Sequence, residues 1–338
     1  MNKNVTLLLS SFLLCLDLFA SAEEITLYSH RHYESDEALY AKFTKQTGIK
    51  VNVVKAGADE LIERLKAEGA NSKADLLMTV DAGRLQRAKA ADLLQSVDSG
   101  VLAERIPTAY RDHDNQWFGL SMRARILVYA KGRVKPGELK SYEDLADPRW
   151  RGRIAVRSSS SIYNQSLLAS IIVEHGVHEA RAWAKAVRKN MARPPQGSDR
   201  DQMRAVFGGL ADIAIVNTYY MGLLINSSEV KDRAVGKDMA LFFPNQKGRG
   251  AHVNVSGAGV TKSSKNIEAA IRLLEFLVSD EAQASFPQTT YEYPVVEGVP
   301  WSDLQKSWGK FRADSLNLGI LGELNEAAVT VFNEAGWE

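Results

Sequence analysis

The chain of 338 residues is 45% hydrophobic and sets 42 lysines and arginines against 41 aspartates and glutamates, a formal net charge of +1. Charges so balanced and interspersed, without a basic stripe, argue against nucleic acid as a partner, and a chain of this length can bury one large core or two. One cysteine, Cys15, rules out zinc-finger spacing and an internal disulfide framework, so stability must come from packing.

Residues 1–22 read as a secretory signal peptide: a polar Met1-Asn2-Lys3-Asn4, an apolar run from Val5 to Phe19, and Ala20-Ser21-Ala22 before Glu23. Cleavage is expected after Ala22. The run is too short and wrongly flanked to span a membrane, and Leu13-Leu14 before Cys15 lacks the small residue that lipoprotein processing wants. No second apolar segment approaches spanning length, so the mature chain is expected to be soluble and, in a Gram-negative cell, periplasmic.

Strand, helix, strand, helix, strand then follow in regular alternation. Ile25 to Tyr28 reads as a strand and the next helix begins near Asp36, with Ser35 as its cap and Gly48 as its stop. Ile49 to Val54 is the second strand; Asp59 caps the helix Glu60 to Glu68; Asp75 to Val80 is the third strand, followed by a helix from Gly83 to Ala91. This spacing predicts an open parallel sheet with helices on both faces. His32 and Tyr33 fall in the loop after the first strand, the edge where such sheets bind ligands, although each also reads as an ordinary loop or helix-start residue.

Trp117 to Tyr129 reads as paired or crossing strand material. Arg123 and Arg125 lie on one side of it, suited to an anion beside a cleft or simply exposed. A second α/β unit restarts with a strand at Arg153 to Val156 and two helices, Ser161 or Ile162 to His175 and His178 to Asn190. Before the first of these, Ser158 to Ser161 offers an N-cap and possible anion donors in Ser159 and Ser160, and Tyr163 sits in the first helical turn. Ser198 or a neighbouring aspartate caps a helix reaching Phe207. Ile213 to Val216 is a buried strand, with Asn217-Thr218-Tyr219-Tyr220 just past its end. Taken alone, Tyr219 reads as a core aromatic and Tyr220 as a surface one. Leu241 to Asn245 and His252 to Val260 are return strands, Asn266 to Val278 is an amphipathic helix that Ser279 to Ala284 continues, and Trp301 onward is helical in parts.

His32, Tyr33, Tyr163, Tyr219 and Tyr220 thus stand at separate element ends. With an ordinary phenol pKa near 10, several tyrosines ionise together only for a highly charged hard cation. Ferric iron fits that requirement better than zinc or copper, which favour cysteine and multiple histidines. Four phenolates and a neutral histidine around a trivalent ion leave a formal charge of minus one, which Arg123 would offset. This arithmetic alone does not identify the metal.

Over nearly the whole mature length the chain resembles the periplasmic ferric-ion-binding proteins of ABC-type iron uptake systems. The resemblance is carried by Leu27-Tyr28-Ser29-His30-Arg31-His32-Tyr33, Ser161-Ile162-Tyr163-Asn164-Gln165, Val216-Asn217-Thr218-Tyr219-Tyr220 and Asn254-Val255-Ser256-Gly257-Ala258-Gly259-Val260. It implies a periplasmic-binding-protein-like α/β fold: two lobes joined by crossing hinge strands, with iron held in the cleft and handed to a membrane permease by a monomer. The tyrosine-rich branch of the family implies Tyr219, Tyr220, Tyr163, Tyr33 and His32 as ligands, and a carbonate-binding branch implies Arg123 with Ser159 and Ser160 as anion carriers, which otherwise stand behind the phenolates and support them. The lobes are expected at 23–122 with 248–298, and at 123–247 with 299–338. Two other readings compete. A binding protein for a small oxyanion or other solute would use the serines, arginines and aromatic rings, a sugar or amine site presenting ring faces and acidic partners, and a secreted metal-dependent enzyme would keep an open coordination position; no nucleophile, base and orienting acid form a catalytic set in the sequence.

Overall fold

The computed structural model describes residues 23–338, so the expected signal segment at 1–22 lies outside the described residues. The first unit runs β1 (Glu24–Ser29), α1 (Glu34–Thr47), β2 (Lys50–Lys55), α2 (Ala58–Glu68), β3 (Leu76–Thr79) and α3 (Ala82–Ala90). Strands β2, β1 and β3 pair in parallel, as the spacing predicts. Two expected caps are replaced. Helix α1 starts at Glu34 rather than after Ser35, and its N-cap, Tyr33, makes no side-chain cap bond; Glu34, Asp36 and Glu37 crowd the positive end of its dipole instead. Gly57, not Asp59, caps α2, and Asp59 reaches across to Arg84 and Arg87 on α3. Asp81 caps α3 by accepting from the Arg84 amide at 3.1 Å.

After α4 (Gly100–Arg105) comes β4 (Phe118–Ala130), thirteen buried residues that serve two sheets. Phe118 to Ala124 pair antiparallel with β8 (Val253–Val260), while Arg125 to Ala130 pair with β6 (Ile213–Asn217) and β7 (Met239–Phe242). The handover falls between Ala124, opposite Val253, and Arg125, opposite Asn217. Past β3 the first sheet is therefore mixed rather than purely parallel. Its two added strands carry the chain toward and away from the second unit, so they run in opposite senses.

The second unit contains β5 (Ile154–Ala155), α5 (Ile162–Asn190), α6 (Asp199–Phe207), β6 (Ile213–Asn217), α7 (Thr218–Ile225), α8 (Val230–Asp238) and β7 (Met239–Phe242). The two helices expected before Asn190 form one run broken at Gly176, whose φ of 79° and ψ of 165° leave helical geometry. Ser198 caps α6 in a reciprocal capping box with Asp201. Strand β8 (Val253–Val260) returns to the first sheet and leads to α9 (Ile267–Leu277). Ser279 starts a separate helix, α10 (Asp280–Thr289), instead of extending α9. The chain ends with β9 (Tyr293–Pro294) on β4, α11 (Asp303–Ser307), α12 (Ile320–Glu323) and α13 (Asn325–Ala335). Helix α12 packs on α3 and α13 on α5, so the C-terminal segment touches both lobes. The result is a two-lobed α/β fold with strands β4 and β8 passing between the lobes.

Candidate functional site

Loops and helix starts from both lobes converge on a cavity of about 390 Å³. The first lobe contributes His30, Arg31, His32 and Tyr33 from the turn between β1 and α1, and Val80 from just past the end of β3. The second contributes Tyr163 from the first turn of α5, Ser198 and Arg200 at the start of α6, and Tyr219, Tyr220 and Leu223 from α7. The five residues singled out in the sequence, His32, Tyr33, Tyr163, Tyr219 and Tyr220, thus share one cavity.

Tyr219 and Tyr220 reach it together because they occupy the first turn of α7, directly after the N-cap Asn217. Their ring centroids lie 4.3 Å apart with planes at 38°. The Tyr219 hydroxyl donates to the Tyr163 hydroxyl at 3.2 Å, joining α7 to α5. His32 is solvent-exposed and packs edge-on against His30 at 5.7 Å. Burial, reinforced by the neighbouring phenols, raises the Tyr219 pKa well above the ordinary phenol value. Burial also raises Tyr33, with Glu292 adding to the effect, and pushes Tyr220 up to about 12. All three are neutral phenols at pH 7 in the metal-free protein.

Arginines stand behind this layer. Arg123, Arg125 and Arg157 place their guanidinium carbons 5.8, 5.8 and 5.4 Å from the centre of the Tyr163 ring. Arg123 and Arg125 do share one side of β4, but both are buried, which removes the exposed-arginine reading. Arg125 pairs with Asp199 at 2.6 Å and donates to Asn164 at 2.8 Å and Asn217 at 3.2 Å. It thereby braces the residue after Tyr163 and the cap of α7. Arg123 donates to Ser256 at 3.3 Å, while its Nη2 is buried without a partner. On the first-lobe side Arg31 lies 4.9 Å from the Tyr33 ring, gripped by Asp36 at 2.9 Å and Glu292 at 2.8 Å. Burial works to raise the Glu292 carboxyl, but the Arg31 and Arg123 charges prevail and hold it below the ordinary carboxylate range.

Asp199, Glu292 and Asp36 were not legible as site residues. Each is an acid in an unremarkable helix start or turn, and only tertiary contact pairs it with an arginine from elsewhere. Ser159 and Ser160 do not line the cavity. Ser160 is exposed and shares a 2.6 Å hydrogen bond with Ser158, while the Ser159 backbone binds Trp337 and Gln165. The serine run thus shapes the turn into α5. Among the described residues no group of three or more His, Cys, Asp or Glu side chains is placed to hold a metal; the converging donors are phenols.

A cleft between two α/β lobes joined by shared strands, walled by groups from both, is the architecture of a bilobed binding protein that closes around its ligand. The chain belongs to the bacterial extracellular solute-binding protein family, whose model matches residues 71–311. It is 51% identical over 316 residues to Iron uptake protein A1 of Synechocystis, an alignment covering 94% of this chain and 88% of that one. The Major ferric iron-binding protein of Neisseria meningitidis is 29% identical over 318 residues, 93% of each chain. A Trichodesmium protein, IdiA or FutA, solved with iron and citrate, is also 51% identical; it superposes with a TM-score of 0.91 over 93% of this chain and all of that one.

Proposed function

We infer that this chain is a periplasmic ferric-iron-binding protein that delivers its cargo to an ABC-type permease. The observation that carries this reading is the convergence of four phenols from both lobes, with Tyr219 within 3.2 Å of Tyr163, in a chain half identical to an iron uptake protein. Tyr33, Tyr163, Tyr219 and Tyr220 supply phenolates and His32 a neutral nitrogen. The lobes, at 23–122 with 248–298 and at 123–247 with 299–338, close because iron binds groups from both. The handover in β4 at Ala124 and Arg125 supports that division. Arg123, behind the Tyr163 ring, is the residue that would hold an accompanying anion, for which carbonate is the candidate. The chain works as a monomer after removal of residues 1–22.

Capture, not turnover, is the chemistry: the metal displaces phenol protons on loading, and opening or reprotonation releases it. Titration with ferric iron at neutral pH should give one-to-one binding and a visible phenolate-to-iron charge-transfer band. Absence of both would end the ferric reading. Repeating the titration with and without carbonate checks the anion, which is excluded if binding and band are unchanged.

A further inference from the structure

We propose that Tyr291 is a positioning residue that sets the second-lobe phenol wall against the first-lobe one, an inference that rests on the ferric reading above. Tyr291 has φ of 58°, a left-handed conformation that an aromatic residue adopts only when its surroundings hold it there. Its carbonyl accepts from Gln305 at 3.1 Å, on capped helix α11. Its side chain lies against the one glycine of the tyrosine-bearing helix α7: a Cβ built on Gly222 would fall 2.4 Å from Tyr291 Cγ and 2.7 Å from its Cβ and Cδ2. Gly222 stands two residues after Tyr220, so any displacement there is passed to both phenols.

The next residue faces the other wall. Glu292 is fully buried, accepts from Arg31 at 2.8 Å and from Ser121 on β4 at 3.0 Å, and Arg31 lies beneath the Tyr33 ring. One dipeptide therefore touches the backbone of the Tyr219–Tyr220 helix on one side and holds the Tyr33 loop on the other. Side chain 291 is the spacer, residue 292 the anchor, and the missing Cβ at position 222 the clearance that lets the spacer seat.

A double-mutant cycle tests this. Gly222→Ala puts a methyl where no room exists, and alanine is the better helix former, so the helix itself survives. Ferric affinity should fall at least about tenfold, with a displaced charge-transfer maximum. Tyr291→Gly accepts the positive φ without strain and removes the ring; it should show a smaller loss. The double variant should match Tyr291→Gly, because the methyl then has space. Wild-type affinity and band in Gly222→Ala would overturn the proposal, and so would losses that simply add in the double variant. Crystal structures of the metal-free proteins give a readout independent of iron: α7 should shift relative to β6 in Gly222→Ala and return in the double variant. If the wild type binds no ferric iron, the ferric reading fails, and an unshifted α7 in Gly222→Ala would then sink the spacer role by itself.

Discussion

Replacing Tyr219 by phenylalanine removes one hydroxyl and keeps the ring, which isolates the proton chemistry of the site. Tyr33, Tyr219 and Tyr220 hold their protons far above neutral pH, burial being the largest cause in each. Each phenol that becomes a ligand must therefore release a proton, and Tyr163 is the fourth phenol in the cavity. Each such ligand adds about one to the climb of the logarithm of the binding constant per pH unit, so the variant should climb less steeply than the wild type by about one. The difference of about one is worth about 1.4 kcal/mol of binding for every pH unit. Competition against excess citrate between about pH 6 and 8, read from the visible band with both proteins in identical mixtures, measures it; iron hydrolysis and citrate protonation cancel in the comparison. Equal slopes would refute Tyr219 as a proton-releasing ligand even if the affinity dropped. The fold should tolerate the change, since the lost hydrogen bond to Tyr163 contributes about 1 kcal/mol.

Two further outcomes follow from the buried charges. Asp199→Ala strands Arg125 in the core without its carboxylate and should destabilise the protein by about 3–5 kcal/mol, whereas Asp199→Leu combined with Arg125→Met should cost less than the single change; denaturant unfolding decides, and a single-variant loss below about 1 kcal/mol would contradict the burial argument. His30 is lowered to about 4, first by burial and then by the Arg84 charge, from an ordinary 6.5. Its neutral form favours the fold, so this contribution is whole above pH 6.5 and disappears as pH falls toward 4, because the unfolded chain takes up the proton first. His30→Gln should flatten the stability curve across that window, and urea midpoints that keep their wild-type pH slope would count against it.

Much of the architecture was local enough to be read along the chain. The parallel β2-β1-β3 arrangement follows from apolar runs separated by helices, and the Ser198 capping box and the glycine stop at Gly48 act within a few residues. Ser35 and Asp59 show where that logic fails. Both are good cap residues by type, but the chain turns into α1 at Tyr33 and into α2 at Gly57, which leaves Ser35 and Asp59 inside the first turns, where Asp59 pairs with Arg84 and Arg87 instead. The placement of Ser159 and Ser160 is a similar case: a serine run before a helix carries no direction, and here neither serine is among the residues that line the cavity.

The sequence by itself determined the alternation of elements and the five side chains at their ends, because periodicity, caps and residue chemistry are short-range properties. Only the tertiary structure decided that these five meet, that β4 changes sheets at Ala124 and Arg125, and that Arg125 answers to Asp199 and Arg31 to Glu292. Arg31 and Glu292 lie 261 positions apart along the chain. A buried ion pair leaves no periodic trace in sequence, since its partners are chosen by what folding brings within reach and by the penalty of leaving either charge alone.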